Sequence, residues 1–268
     1  MQKMLSEHSQ VHCSETRLFG RYFDPSFGPS THLPLEEYVQ ILSRYYDPPC
    51  EADRREAYFA SLLNKMIETI ASHAKEESGK PIYGEKLTPY VGTADGVIEQ
   101  LVGLGSEVRM IHLVRDCRDV IVSGIAHWGK VVDENSQREL EKSFAYFLDA
   151  WVEIEHAMRS AKDRFAHVLE VRYEDMLADP IAQAQRVFAF IGADVADEVV
   201  EQCVEQAAFS KLSGGRQPGQ EDSASFYRNG TAGQWKDKLS SSQLEMIHSK
   251  AGALLTELGY EMPTGTNS

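Results

Sequence analysis

The hydrophobic pattern alternates between short apolar runs and longer stretches with an apolar residue at every third or fourth position. VRMIHLV (108–114) and AHVLEVRY (166–173) predict buried strands, and KPIYGEK (80–86) predicts a shorter strand that ends at Gly84. Helical spacing predicts helices over residues 1–9, 33–46, 53–75, 95–105, 136–161, 180–192, 195–209 and 241–258. Residues 210–235 are polar and glycine-rich, and they predict a long loop.

Strands separated by helices favour an α/β fold, with a parallel sheet flanked by helices. Ligands of such sheets bind beyond the carboxyl ends of the strands. Arg115 and Tyr173 fall at these ends, and topology alone makes both of them candidate site residues.

Composition narrows the partners that this fold could take. The 268 residues predict a single domain, and the net charge of −14 argues against binding to nucleic acid or to an anionic membrane. The four cysteines are scattered without metal-ligand spacing, which indicates free thiols and a cytoplasmic protein. We expect no transmembrane helix, because no run of 18 apolar residues occurs.

Four charges interrupt the apolar pattern where the strand 108–114 meets the next helix: Arg115, Asp116, Arg118 and Asp119. One interpretation is a solvated turn with local ion pairs, in which the two acids complement the helix dipole. The other is an anion site made by Arg115 and the helix N-terminus, with Ser123 two turns along the helix. The sequence pattern leaves both open.

A second candidate anion site is the segment FYRNGTAGQW (226–235). Arg228 stands beside Gly230 and Gly233, which let backbone N–H groups approach an anion closely. The alternative is a flexible surface loop, although three aromatic residues are unusual in a loop that is only solvated.

Three ordered motifs, VRDCRDVIVS, VRYEDMLADP and RNGTAGQW, resemble the sulfotransferases that use 3′-phosphoadenosine 5′-phosphosulfate (PAPS). The resemblance implies a P-loop NTPase-like fold in which Arg115, Ser123 and Arg228 bind the nucleotide 3′-phosphate. It places Gly230 in the nucleotide-binding loop and Tyr173 near the adenine. The family usually has Arg-Lys-Gly where this chain has Arg-Asn-Gly, so one positive charge is missing at Asn229.

A narrower resemblance concerns the N-terminal region. HSQVHCSETRLFGRYF is similar to a segment of tyrosylprotein sulfotransferases and related bacterial enzymes, in which a Glu-Thr-Arg triplet supplies a general base and an arginine. Glu15 and Arg17 match these roles, and Lys86 in YGEKLTPY matches a charge-stabilising lysine. The alternatives are an exposed loop acid and an ordinary surface lysine. His8 and His12 lack the further ligands that a metal site needs, so we expect none.

The resemblance implies transfer of a sulfuryl group from PAPS to a hydroxyl or amine of an unidentified acceptor, with adenosine 3′,5′-bisphosphate (PAP) as the product and no metal. A nucleotide kinase would need a GxxxxGK[ST] loop, which the sequence does not contain. A non-catalytic protein of sulfotransferase fold, binding a nucleotide or a partner, stays open as an alternative.

The family begins with a strand and a glycine- and serine-rich loop that wraps the 5′-phosphosulfate. The sequence after Met1 resembles the helix that follows this loop. We therefore expect a sulfotransferase domain that is N-terminally truncated, with a sheet that lacks its first strand and with little or no activity.

Overall fold

The computed structural model describes residues 1–15, 23–24, 28–29, 35–87, 94–104, 108–128 and 137–261. The helices in these ranges are α1 (Gln2–Glu7), α2 (Leu35–Tyr45), α3 (Arg55–Ser78), α4 (Ala94–Gly103), α5 (Cys117–Trp128), α6 (Gln137–Ala161), α7 (Tyr173–Ala178), α8 (Pro180–Ile191), α9 (Asp197–Gln206), α10 (Phe209–Leu212), α11 (Trp235–Lys238) and α12 (Ser241–Glu257). The strands are β1 (Val11–Ser14), β2 (Phe23–Asp24), β3 (Gly28–Pro29), β4 (Ile82–Glu85), β5 (Arg109–Val114) and β6 (His167–Arg172).

The predicted strands are present, and the local sequence explains where the neighbouring helices begin and end. At α8, the Asp179 carboxylate accepts a hydrogen bond from the Ala182 N–H (3.1 Å), and Pro180 occupies the first turn. Gly192 ends this helix with φ of 76°, in the left-handed region that favours glycine. The helix predicted over 195–209 is shorter, because α9 ends at Gln206 and α10 follows separately.

Parallel pairing brings two sets of strand ends together. Strand β1 pairs with β4 so that Ser14 lies opposite Glu85, and β5 pairs with β6 so that Val114 lies opposite Arg172. Within the described ranges, no backbone hydrogen-bond ladder joins the two pairs, so the single parallel sheet that the sequence predicted is observed there as two parallel two-stranded sheets.

Both parallel pairs contribute residues to a shared hydrophobic cluster. Val11 of β1 and Val171 of β6 are buried in a cluster that α1, α8 and α9 cover. Val114 of β5 belongs to a second cluster with α5, α6 and α12. Burial fixes β5 and β6 in place, so the residues that follow them start from a rigid position. No helix among the described residues is long and apolar enough to cross a membrane.

Candidate functional site

Arg115 follows the last residue of β5, and one of its hydrogen-bond donors has no acceptor in the described part of the chain. Its backbone carbonyl accepts a hydrogen bond from Trp151 Nε1 (3.0 Å), and its guanidinium carbon lies 4.6 Å from the centre of the Tyr173 ring. The buried Nε atom of Arg115 has no hydrogen-bond partner among the described residues. Buried donors are normally paired, so this Nε is an exception that has donor capacity for a ligand.

Tyr173 begins α7, at the end of the strand next to β5. Burial raises the pKa of its phenol above the usual range, and the positive charge of Arg115 opposes this shift. The phenol is therefore neutral at physiological pH, and its ring provides a flat apolar surface beside the guanidinium.

The other three charges at this junction are structural. Asp116, Arg118 and Asp119 are only 5%, 3% and 1% exposed. Arg118 donates from Nε and Nη2 to the Asp116 carboxylate (2.8 and 2.7 Å), and its guanidinium carbon lies 3.9 Å from the centre of the Trp235 ring. The solvation expected for a turn is therefore wrong for these residues, which are buried, whereas the expected local ion pair is present between Arg118 and Asp116.

The segment 226–235 lies along α5 and is not a free surface loop. The Asp119 carboxylate accepts hydrogen bonds from the backbone N–H groups of Gly233 (2.5 Å) and Trp235 (3.1 Å). The rings of His127 and Phe226 are 5.4 Å apart. The Asp119 contacts hold the segment at the start of one face of the helix, whereas the Phe226 ring, which is 72% exposed, only lies beside that face at His127.

Ser123 lies on that face, since Asp119, Ser123 and His127 follow one another at intervals of four residues. The Ser123 hydroxyl forms no hydrogen bond with any residue that the structure describes. Ser123 therefore lies on the face of α5 that contacts residues 226–235, and its hydroxyl donates to and accepts from no described residue.

Arg228 is held at the same loop with one donor unpaired. Its Nη1 pairs with the Glu221 carboxylate, and its Nη2 donates to Gln234 Oε1 (2.7 Å). Its side chain is 10% exposed, and its buried Nε has no hydrogen-bond partner in the described part of the chain. Ser123 thus lies on α5, Arg228 lies on the loop that packs along α5, and Arg115 directly precedes the start of α5.

Gly230 is required by the loop backbone and by packing. Its φ is 72°, and the Phe209 ring fills the space that a Cβ atom would occupy. The sequence suggested that this glycine lets backbone N–H groups approach an anion closely, and this stays a prediction.

Glu15 and Lys86 are brought together by the parallel pairing of β1 and β4. Lys86 Nζ donates to Glu15 Oε1 (2.9 Å), and the Lys86 backbone N–H donates to the Ser14 carbonyl (2.8 Å). The side chains of Lys86 and Glu15 are 39% and 37% exposed. No contact among the described residues joins this pair to Arg115, and Arg17 lies outside the described residues.

Sequence reasoning missed two residues that hold the loop. Asp119 was considered only as a charge at a helix start, whereas it fixes Gly233 and Trp235. Arg216 donates to the carbonyls of Tyr227 and Arg228. The sequence gives no periodic signal for Arg216, because it lies in a polar segment whose fold depends on distant contacts.

The two N-terminal histidines have partners that do not involve a metal. His8 is fully buried, with Nε2 3.0 Å from the Asp194 carbonyl and Nδ1 accepting the Gln10 N–H. His12 stacks on Tyr83 at 6.0 Å between ring centres. No group of three potential metal ligands occurs among the described residues.

Solved structures of known proteins share this fold at low sequence identity. The sulfotransferase domain of the Synechococcus PCC 7002 olefin synthase aligns over 98% of this chain and 90% of its own, with a TM-score of 0.58 and 18% identity. The sulfotransferase domain from the curacin biosynthetic pathway aligns over 98% and 93%, with a TM-score of 0.52 and 15% identity. These likenesses establish the α/β sulfotransferase fold.

Sequence relatives cover a smaller part of the molecule. The flavonol sulfotransferase-like protein of Flaveria bidentis is 27% identical over 69% of this chain and 64% of its own length. Sulfotransferase 2A6 of Rattus norvegicus is 26% identical over 52% of this chain and 54% of its own. The chain thus spans between about half and two thirds of these relatives. The family model described as "Sulfotransferase domain" matches residues 102–259, more than half of the sequence, and the chain therefore belongs to the sulfotransferase domain family.

Proposed function

We propose that the chain binds PAPS and transfers its sulfuryl group to a hydroxyl or amine of an acceptor molecule. The observation that carries this proposal is the position of Arg115 directly before α5, the helix that contacts the segment of Arg228, with its guanidinium over Tyr173 and its buried Nε without a partner among the described residues. A protein of net charge −14 binds an anion only where local donors overcome the overall field, and Arg115 provides such donors.

The donor set suits a phosphate group. Among the described residues, the buried Nε–H groups of Arg115 and Arg228 and the hydroxyl of Ser123, beside the loop that carries Arg228, have no hydrogen-bond partner. Phosphate oxygens accept several charge-assisted hydrogen bonds at once, which a single surface lysine would not provide. These three residues would hold the 3′-phosphate of PAPS or of the product PAP, and the ring of Tyr173 would lie beside the base.

The Glu15–Lys86 pair would act on the reacting groups. PAPS supplies an activated sulfuryl group when it is bound. Glu15 would accept the proton of the acceptor hydroxyl or amine, a role that typically contributes about 10²–10⁴-fold to a rate. Lys86 uses one ammonium donor on Glu15, and its other donors would contact the negative oxygens of the transferring group.

Two narrower assignments are part of this proposal. The similarity to tyrosylprotein sulfotransferases is supported by the direct contact between Glu15 and Lys86. The treatment of residues 1–268 as one domain is supported by the hydrophobic cluster that β1 and β6 share.

Binding and turnover test the proposal separately. We expect calorimetric titration to show that PAP binds more tightly than adenosine 5′-monophosphate, which lacks the 3′-phosphate. A screen of hydroxyl- and amine-bearing acceptors with radiolabelled PAPS then tests transfer. Tight PAP binding without transfer to any acceptor would favour the non-catalytic alternative, and failure to prefer PAP would contradict the nucleotide site itself.

A further inference from the structure

Arg216 is the centre of a hydrogen-bond network that holds the loop around Arg228. Its Nη1 donates to the carbonyls of Gln220 and Arg228 (both 2.9 Å), and its Nη2 donates to the carbonyl of Tyr227 (2.6 Å). A longer contact joins its Nε to the Ser213 carbonyl (3.4 Å). One side chain therefore fixes the backbone both at Arg228 and immediately before it.

A ring contact extends this network past Arg228. The Arg216 guanidinium carbon lies 5.4 Å from the centre of the Phe209 ring, and Phe209 fills the space beside Gly230. The backbone on both sides of Arg228 is thus held from a single point. Asp119 holds the other end of the loop through Gly233.

The partners of Arg216 explain why the residue is an arginine. Among the described residues it donates only to neutral carbonyls and pairs with no carboxylate. A planar fork with five donors reaches several carbonyls in fixed directions, whereas the ammonium of lysine is a point charge on a flexible stem. Its role is therefore to set backbone geometry and not to form an ion pair.

We infer that Arg216 is a positioning residue that makes the site selective for nucleotides with a 3′-phosphate, by holding Arg228 in the geometry that binds this phosphate. The inference rests on the proposed function. It predicts a selective defect: ligands that carry the 3′-phosphate lose affinity, and ligands without it do not. A charge-assisted hydrogen bond depends on distance and direction, so a shift of Arg228 weakens its contact with the phosphate.

The test is calorimetric titration of wild-type protein and Arg216→Lys with PAP and with adenosine 5′-monophosphate. We expect about a tenfold loss of PAP affinity, equal to about 1.4 kcal/mol, with the affinity for adenosine 5′-monophosphate unchanged. Arg186→Lys is the matched control, because Arg186 also donates to a backbone carbonyl, that of Glu170 (3.1 Å), away from the loop. It should leave both affinities unchanged.

A double mutant tests whether Arg216 acts through Arg228. Arg216→Lys combined with Arg228→Ala should bind PAP no more weakly than Arg228→Ala alone, since coupled residues are not additive. If Arg216→Lys fails to fold by circular dichroism, Phe209→Leu tests the same network and should also lower the preference for PAP.

The outcomes separate the two proposals. A wild-type protein without a preference for PAP contradicts the proposed function, and the inference falls with it. A wild-type preference that Arg216→Lys retains in full contradicts the inference alone. Equal weakening of both ligands, or additive losses in the double mutant, would show a general structural role and would also overturn it.

Discussion

Arg115 and Glu15 both follow the last residue of a parallel strand, yet their surroundings differ in burial and in partners. Arg115 is half-buried, stacked on Tyr173, and next to three charged residues that are at most 5% exposed. The Glu15 side chain is 37% exposed, and its ion-pair partner is Lys86. The first region is a folded network in which the Arg115 Nε has no partner among the described residues, and the second is an exposed ion pair.

The two environments suit two different tasks in a transfer reaction, namely binding of the phosphate and acceptance of a proton. A side chain that binds a phosphate does so more tightly when its neighbours hold it rigidly, because less free energy is then needed to order that side chain on binding. A proton acceptor must reach the substrate, so an exposed position at a strand end suits it. We therefore expect changes near Arg115 to alter affinity and stability, and changes at Glu15 to alter turnover only.

The largest expected effect is on turnover of Glu15→Gln. In a version of the protein that shows PAPS-dependent sulfation, removing the proposed base should lower that sulfation by about 10²-fold or more, because a general base contributes about 10²–10⁴-fold. PAP affinity should stay within error of wild type. Glu205→Gln is the matched control, since Glu205 forms another exposed ion pair, with Lys211 (3.3 Å). Equal losses of turnover and PAP affinity would instead make Glu15 a structural residue.

The second effect, on affinity, concerns Arg115→Ala. Hydrogen bonds to charged groups contribute about 1.5–3 kcal/mol each, so PAP affinity should fall by about one to two orders of magnitude. Arg172→Ala is the control, because Arg172 also ends a strand, lies over a tyrosine ring, that of Tyr260 (4.2 Å), and has a buried Nε without a partner among the described residues. It differs from Arg115 in that its Nη1 donates to the Gly259 carbonyl (3.5 Å) and its strand leads into α7, whereas the segment of Arg228 contacts α5. Arg172 lies opposite Val114 in the strand register, and Val114 is buried in the cluster of α5, α6 and α12. Arg172→Ala therefore also controls for a general loss of stability at this strand end.

Thermal shift with and without PAP measures this difference. Saturating ligand at 100 times its dissociation constant stabilises a protein by about 2.7 kcal/mol, and Arg115→Ala should lose most of this gain. Arg172→Ala should retain it even if the unliganded protein melts earlier. A similar loss of PAP stabilisation in both variants would remove the distinction between the two arginines.

The sequence predicted the framework of the fold because its strongest signals are local. The apolar strands 108–114 and 166–173 and the capped helix that begins at Pro180 all follow from spacing and turn chemistry. Strand β1 was not predicted, since four residues with two polar side chains carry little periodicity. Its existence depends on pairing with Ile82–Glu85, far along the chain.

The candidate site likewise contains residues that could be predicted from local sequence and residues whose role depends on distant contacts. Arg115 and Tyr173 could be selected because strand ends are readable from the sequence. The functions of Asp119 and Arg216 could not, because both act on a loop that lies distant in sequence or lacks regular structure. Charges at a helix start have the same appearance in a sequence whether they are solvated or 1% exposed, and only tertiary packing distinguishes them.

A smaller effect, on stability, is expected for Asp119→Asn. The amide keeps the shape of the carboxylate but faces one of the two backbone N–H groups, of Gly233 or Trp235, with a donor. The loss of a buried, charge-assisted hydrogen bond should lower the free energy of unfolding by about 1.5–3 kcal/mol in urea. Asp179→Asn is the control, because asparagine caps a helix about as well as aspartate. Equal stability of Asp119→Asn and wild type would show that the loop is not held by this carboxylate.

The smallest expected effect is on the stability of Lys86→Met, which removes the ion pair with Glu15 but keeps an apolar side chain. Exposed ion pairs contribute about 0–1 kcal/mol, so the free energy of unfolding should fall by less than about 1 kcal/mol, and less still at high salt. The backbone hydrogen bond from Lys86 to Ser14 (2.8 Å) does not depend on the side chain and should persist. Lys211→Met, which breaks the exposed pair with Glu205, should behave alike in urea denaturation. A loss of about 2 kcal/mol or more, of the size expected for a buried network, would mean that the Glu15–Lys86 pair holds β1 against β4, and the contrast between a rigid binding region and an exposed reacting pair would no longer stand.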